Sequence, residues 1–390
     1  MSRFHSYINT AEQLILNFKG ETPLAIFLRS FFSTNKKYGS KDRKQIAALC
    51  YNYFRLGHAM ANIPIKKKLL AAYFLCENEP SDLTNNLMPE WNHLMAEDLD
   101  KKIMVLEDQF TPEQIFPFKE FLSAGIDSNE FSRSFLTQPD LFLRIRPKNK
   151  QSVLKKLEKS GLSYQLNDDC IILPNAIKLE DHFSIDREII VQDQNSQKVF
   201  DFFKSHNIDV ERSSIPVWDC CAASGGKSIL LFDILNQHID LTVSDIRPSI
   251  ILNLHQRFKK AGLKEYKYFI ADVEKKEFEH PFLESGIIIC DAPCTGSGTW
   301  ARTPEELYLF DPSTIERYAT RQKNISTNVI PYLKKGGLFI YITCSVFKQE
   351  NEEVVNVIKE KFDIELLEMK VLKGYNKKAD TMFVAILKKN

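Results

Sequence analysis

Two cysteines fifty positions apart, Cys294 in IIICDAPCTGSGTW and Cys344 in GLFIYITCSVFKQENEE, have the setting best suited to chemistry. Each follows an apolar run of strand length. In a doubly wound sheet, ligands occupy the crevice beyond the carboxyl ends of the strands, so both thiols would face that crevice. Neighbouring strands run about 4.8 Å apart, so if these two are adjacent, both sulfurs reach one substrate. The bland alternative is a small buried hydrophobe, the commonest state of cysteine, and it is adopted for Cys50, Cys76, Cys170 and Cys290.

A second constellation follows the apolar run IPVWDC. The segment Cys221-Ala222-Ala223-Ser224-Gly225-Gly226-Lys227 is a glycine-containing turn leading into a helix, where nucleotide-like cofactors approach backbone. Three cofactors compete for it. A dinucleotide favours GxGxxG, which is absent. A P-loop fits Gly226-Lys227-Ser228 but requires glycine where Cys221 stands. S-adenosyl-L-methionine needs only a close turn and a carboxylate for its ribose diol. Asp245 stands twenty residues after Gly225, the spacing of a ribose-binding acid, which favours an adenosine ligand. Asp272 ends the next strand and could accept from an adenine amino group or simply cap a helix. Asp291 opens onto the Cys294 turn.

A thiol pair beside such a cofactor suits a pyrimidine base. Carbon 5 of cytosine is too weak a nucleophile to take a methyl group until a thiolate has added to carbon 6. Asp291 could donate a proton to ring nitrogen 3, and Lys227 could supply charge stabilisation. The base must be unpaired or flipped to admit attack from both faces. Trp300 and Phe347 could stack on it, although packing is the commoner role of each, and Gly296 and Gly298 keep the Cys294 loop narrow.

The elements that must position these groups divide the chain in three. Residues 1–125 carry apolar residues at helical spacing, in AEQLILNF, PLAIFLRSFF and RKQIAALCYNYFRLGH, and predict an all-helical domain that could bind RNA. Residues 126–205 hold the strand candidates LFLRIR, SYQL, CIIL and EIIVQD, with a helix ending at Gly161; this order predicts a small ferredoxin-like α/β subdomain with Arg144 and Arg146 on an RNA-facing strand. Residues 206–390 alternate strands (IPVWDC, LTVSDI, KYFIAD, GIIICDAP, GLFIYITC, TMFVAILKK) with helices, which predicts an α/β domain with a mostly parallel, doubly covered sheet.

Composition narrows the remaining classes. Across 390 residues, 44% hydrophobic and 26% charged is ordinary for a soluble globular protein of two or three domains. Eight cysteines without CxxC pairs or histidines at ligand spacing predict neither a structural zinc nor a disulfide framework, so no metal is expected and the compartment is reducing. The amino terminus lacks a signal-peptide layout and no apolar run approaches 18 residues, so a cytoplasmic protein without membrane partners is expected. A net charge of +1 means that attraction to nucleic acid must be local. Lys36, Lys37, Lys41, Arg43 and Lys44 form one basic cluster; Lys66, Lys67 and Lys68 read as a solvated face.

At these residues the chain resembles the Fmu/Sun-type (RsmB/NOP) RNA cytosine-C5 methyltransferases. WDCCAASGGK is similar to that family's DxCAAPGGK cofactor loop and SDIRP to its ribose-binding acid. DAPCTGSGTWARTPE is similar to DxPCSGxGxxRRxPE, and YITCSVFKQENEEVV to YxTCSxxxxENExVV. IIVQDQNSQKVFDFF, GYNKKADTMFVAILKK and the helical FFSTNKKYGSKDRKQIAALCYNYFRLG extend the likeness over most of the chain. The resemblance implies a Rossmann-like class I methyltransferase core whose last strand is antiparallel. It implies Cys344 as the nucleophile, Cys294 as the helper in release, Asp291 and Lys227 against the base and methionine portion, and Cys221 through Lys227 along S-adenosyl-L-methionine. Ser224 stands where the family carries proline, and Ala301 where it carries the first of two arginines. The expected partner is RNA, ribosomal before transfer RNA, with the protein a monomer needing no protein partner. Two rivals are weighed. A DNA cytosine methyltransferase uses its Pro-Cys thiol as nucleophile, but here a second thiol is present. A non-catalytic RNA-binding module would not need both cysteines with Asp245 and Asp291.

Overall fold

The structure, a computed structural model, describes residues 3–205, 214–278 and 284–390. The domain boundary expected at residue 206 lies outside the described residues. The chain forms two compact units. One comprises residues up to Glu120 with Asp127–Gln138 and Thr299–Pro312; the other comprises Phe121–Ile126, Pro139–Gly298 and Ser313–Asn390.

The first unit is helical. The helix Arg3–Asn17 buries Phe4, Tyr7, Ile8, Ala11, Leu14 and Ile15, a stripe at three- and four-residue spacing that seats it on its neighbours. In the helix Ile65–Cys76 the same periodicity corrects the reading of the lysine run. Lys66 and Lys67 are exposed, but Lys68 turns inward beside Leu69. Its ammonium donates to the Gly57 carbonyl at 3.3 Å and lies over the Tyr53 ring, and burial pulls its pKa down to about 8. Thr299–Pro312 is built into this unit. Arg55 donates to the carbonyls of Ala301 and Phe135, each at 3.0 Å, and Glu305 accepts from Leu24 N at the start of the helix Leu24–Thr34. Trp300 is buried against Phe310, so it is a packing residue and no platform for a base.

The second unit holds two sheets. Strands β1 (Leu141–Ile145), β2 (Gln165–Asn167), β3 (Cys170–Leu173) and β4 (Ile189–Val191) form an antiparallel sheet in the order β2-β3-β1-β4. Leu143, Ile145, Ile171 and Ile189 pack on Val153 and Leu157 of the helix Lys150–Ser160, which ends at Gly161 with φ of 66°. The alternation of a strand sends Arg144 and Arg146 to another environment, and it is not an RNA-facing one. Both are buried and converge on Asp233: Arg144 Nη1 lies 2.6 Å from Oδ2, and Arg146 Nη2 lies 2.7 Å from Oδ1. The expectation fails because one buried carboxylate, with the neutral acceptors Gln192 Oε1, Asp186 O and Ala261 O, holds both guanidinium groups inside the unit.

The larger sheet contains β5 (Ile215–Asp219), β6 (Ile239–Asp245), β7 (Lys267–Ile270), β8 (Ser285–Asp291), β9 (Leu333–Thr343), β10 (Ile364–Leu372) and β11 (Met382–Lys389), in the order β10-β11-β9-β8-β5-β6-β7. β5, β6, β7, β8 and β9 pair in parallel, whereas β11 is antiparallel to both β9 and β10. Buried residues cover both faces, Ile229, Leu254 and Phe258 on one and Val329, Val354 and Ile358 on the other. β10 is a strand that sequence reading missed. It is an edge strand with exposed or half-exposed Glu365, Glu368 and Lys370, so its hydrophobic alternation is diluted. Chain order reverses beside β5, and that reversal opens the crevice at the carboxyl ends of β5 and β8.

Candidate active site

The turn after β5 is shaped by two left-handed residues, Ala223 with φ of 44° and Gly225 with φ of 79°. Glycine is required at 225 for space as well, since a Cβ there would lie 2.3 Å from a ring carbon of Phe258. The turn is tied down by Ala222 N to Ser244 O at 2.9 Å and by Ala223 N to Asp245 Oδ2 at 3.1 Å. Ser224, in place of proline, accepts from Arg257 Nη1 at 2.9 Å, so a side-chain bond holds the position that a ring would otherwise stiffen. Gly226 and Lys227 begin the helix Gly226–Ile234.

Asp245 closes β6 and is buried. Burial opposes its ionisation, but hydrogen bonds from the Arg247 side chain, from Arg247 N and from Ala223 N outweigh it and hold its carboxyl below the ordinary value. A cavity of about 390 Å³ runs from Asp245 and Arg247 past Cys221 to Asp291 and Cys294. That size falls within the roughly 300–1,000 Å³ usual for small-molecule sites. Asp272 lines the same cavity while accepting from Glu274 N at 3.3 Å within a turn; among the described residues no helix starts beside it, so it caps none there. Acceptors for a diol and for an amino group at one end, and thiols at the other, suit S-adenosylmethionine.

The reactive end rests on strand adjacency. β8 and β9 are hydrogen-bonded neighbours with Asp291 opposite Ile342, so Cys294 and Cys344 leave the sheet side by side. Their sulfurs are 3.3 Å apart. The contact with Cys344, followed by burial, raises the pKa of Cys294 well above the usual thiol value. Lys227 Nζ donates to Asp291 Oδ2 at 2.8 Å. Burial disfavours the ammonium, yet the charge and hydrogen bond of Asp291, with Cys344 nearby, keep its pKa raised. Gly298 is needed for backbone packing: a Cβ there would lie 2.0 Å from Thr381 O and 2.9 Å from Cys344 O. Phe347 is buried against Phe121 and is unavailable for stacking.

Sequence reading overlooked three features. Asp219, at the end of β5, is fully buried, accepts from Ser228 Oγ at 2.6 Å and leaves Oδ1 without a partner; burial pushes its pKa up to about 7. Its place in WDCC, at the end of an apolar run, was the available signal. Cys220, Cys221 and Cys290 bring their sulfurs within 4.8 Å of one another, a convergence that spacing along the chain did not reveal. Glu350 is buried between the segments that carry the two cysteines.

A switch-point cavity on this seven-stranded sheet, with an acid closing β6 and a glycine turn after β5, defines a class I methyltransferase fold. Solved structures agree with that fold. The crystal structure of PH0851 covers 97% of this chain and 97% of its own, with a TM-score of 0.69 at 18% identity. That of NSun6 from Pyrococcus horikoshii with SFG, an S-adenosylmethionine analogue, covers 67% of this chain and 94% of its own, with a TM-score of 0.57 at 15% identity. The family profile described as 16S rRNA methyltransferase RsmB/F matches residues 208–388. The probable ribosomal RNA small subunit methyltransferase B of Bacillus subtilis is 28% identical over 257 residues, covering 63% of this chain and 56% of that protein. The ribosomal RNA small subunit methyltransferase B of Proteus mirabilis is 27% identical over 232 residues, covering 56% of this chain and 51% of that protein. The chain thus spans about half the length of the curated relatives it matches. Residues 208–388 thus match the RsmB/F (NOL1/NOP2/Sun) family of RNA cytosine-C5 methyltransferases, which use S-adenosylmethionine.

Proposed function

We propose that this protein forms 5-methylcytosine in RNA, with small-subunit ribosomal RNA as substrate, through a covalent adduct at carbon 6. The observation that carries this reading is the 3.3 Å approach of the Cys294 and Cys344 sulfurs beside the Lys227–Asp291 pair. The names of the relatives above support the choice of ribosomal RNA. Transfer RNA is the second candidate.

Cys344 adds as thiolate to carbon 6, favoured by the positive charge of Lys227 nearby. Asp291 donates a proton to ring nitrogen 3 as Cys344 adds, which quenches the negative charge that addition pushes into the ring, and Lys227 stabilises the carboxylate left behind. Bound S-adenosylmethionine supplies the electrophilic methyl group. Asp245 accepts from its ribose diol, Asp272 from its adenine amino group, and the Cys221–Lys227 turn lines its length. A base then takes the carbon-5 proton, the electron pair of that bond re-forms the carbon 5–carbon 6 double bond and expels Cys344 as thiolate, and Cys294, kept protonated by its neighbour and by burial, donates a hydrogen bond to the departing sulfur.

The four-stranded sheet has the strand order of a ferredoxin-like subdomain and, with the helical unit, is assigned to RNA recognition. Exposed Lys36, Lys37, Lys41, Arg43 and Lys44 provide the basic surface. Among the described residues no helix is long and apolar enough to cross a membrane, and a cytoplasmic monomer is the form proposed. Bisulfite sequencing of cellular RNA from a deletion strain beside its parent tests the function. Loss of one methylated cytosine in small-subunit ribosomal RNA is expected; an unchanged methylation map overturns the reading.

A further inference from the structure

Glu350 is completely buried, and both of its carboxylate oxygens are occupied. Oε1 accepts from Thr295 Oγ1 at 2.6 Å and from Ser345 Oγ at 2.5 Å; Oε2 accepts from Thr295 N and from Gln322 Nε2, each at 2.9 Å. Thr295 follows Cys294 in the chain and Ser345 follows Cys344. One carboxylate therefore holds the residue next to each thiol. Gln322 Nε2 also donates to Pro293 O at 2.9 Å, so the Cys294 segment is held on both sides of the cysteine. The Glu350 carbonyl accepts from Tyr341 OH at 2.6 Å, which fixes the carboxylate to β9. Asn351 adds to the Cys344 side, donating to Ser345 O at 2.9 Å and accepting from Thr343 Oγ1 at 2.6 Å.

A carboxylate taken out of water is costly unless its lone pairs are filled, and here four donors from three residues fill them. Nothing about the cofactor end of the cavity requires such an arrangement. Its donors all belong to the segments around the two thiols and to the helix Ser313–Val329 beside them. The geometry points to Glu350 as the positioning residue that sets the separation of the Cys294 and Cys344 sulfurs, so that the proton-handling thiol reaches the adduct formed on the other. This rests on the function proposed above. Loosening the tie leaves Cys344 able to add to the base while release by Cys294 fails.

Glu350→Gln tests this, because the amide keeps the shape but presents an NH2 where Thr295 N, Gln322 or the hydroxyls must donate. The first measurement uses no RNA. Oxidised glutathione accepts two electrons and two protons from the Cys294 and Cys344 thiols, giving one protein disulfide and two molecules of glutathione. The linked peptide is followed by mass spectrometry. Disulfide closure is expected to slow roughly tenfold or more in the variant, as the thiols lose their fixed proximity. The second measurement uses cytosine-containing ribosomal RNA with S-adenosylmethionine: the protein–RNA adduct accumulates in Glu350→Gln, with cofactor affinity unchanged. Thr295→Val removes a single hydroxyl donor and gives an intermediate slowing, which decides the matter if Glu350→Gln does not fold. Wild-type rates of closure and release in folded variants overturn the assignment. A wild-type protein that forms neither adduct nor 5-methylcytosine on any RNA defeats the proposed function, whereas the disulfide comparison still decides the role of Glu350.

Discussion

Lys227 Nζ sits 2.8 Å from Asp291 Oδ2, joining the first turn of the helix after β5 to the end of β8. In the proposed mechanism this pair orients the acid that meets the base. Asp291→Asn keeps the shape and removes the transferable proton. Methyl transfer is expected to fall by roughly 10²–10⁴-fold, the range for a proton-transfer group, while calorimetric affinity for S-adenosylmethionine changes little. Equal losses in both would place Asp291 in cofactor binding instead.

The sulfurs of Cys294 and Cys344 have different tasks in the proposed mechanism. Cys344→Ala should abolish methylation and covalent capture of 5-fluorocytosine RNA. Cys294→Ala should leave addition intact and let the RNA adduct accumulate, visible as a band resistant to denaturing electrophoresis. Capture lost with Cys294→Ala but kept with Cys344→Ala would reverse the roles.

In the proposed mechanism Asp245 holds the adenosine end. Removing its carboxylate in Asp245→Ala takes away charged hydrogen bonds worth about 1.5–3 kcal/mol, which is roughly a 10- to 150-fold weaker Kd for S-adenosylmethionine by titration calorimetry. An unchanged Kd would show that the ribose is held elsewhere.

Asp233 is the one carboxylate shared by two buried arginines. Asp233→Ala leaves Arg144 and Arg146 without their counter-charge, and breaking a buried pair of this kind costs about 3–5 kcal/mol. A clear drop in the denaturation midpoint is expected. In contrast, Arg146→Met should leave the salt dependence of RNA binding as it was, because the guanidinium does not face RNA; a reduced slope would contradict that.

Asp219 makes stability depend on pH. Burial raises its pKa to about 7, against about 3.8 in the unfolded chain, so between these values the folded protein holds a proton that the unfolded chain has released. Its contribution is complete below about pH 4 and is lost as pH rises towards 7. Asp219→Asn should flatten that decline in thermal midpoints measured across this window. A parallel offset at every pH would rule out titration of Asp219 as the cause.

Much of the site could be read without coordinates because its signals are local. A glycine turn after one apolar run, an acid twenty residues on, and a cysteine just past each of two further runs each occupy a few consecutive positions. They fall at strand ends in the structure because strand termination is itself written in short-range sequence. β10 escaped because an exposed edge strand rich in charge lacks that pattern. Lys68, Arg144 and Arg146 read as surface residues because residue type alone does not reveal which face of an element is covered, whereas Trp300 and Phe347 take the packing role that is the commoner one for their type.

The chain's order of residues was therefore sufficient for the groups on offer: two thiols, a glycine turn, an acid twenty residues beyond it and their place at the ends of strands. Only the tertiary structure decided that β8 lies beside β9, that the two sulfurs meet at 3.3 Å, and that Glu350 ties both segments together. Those facts depend on contacts between residues tens to hundreds of positions apart. Such contacts are selected by which surfaces bury one another best, a property of the whole fold that no short stretch of sequence contains.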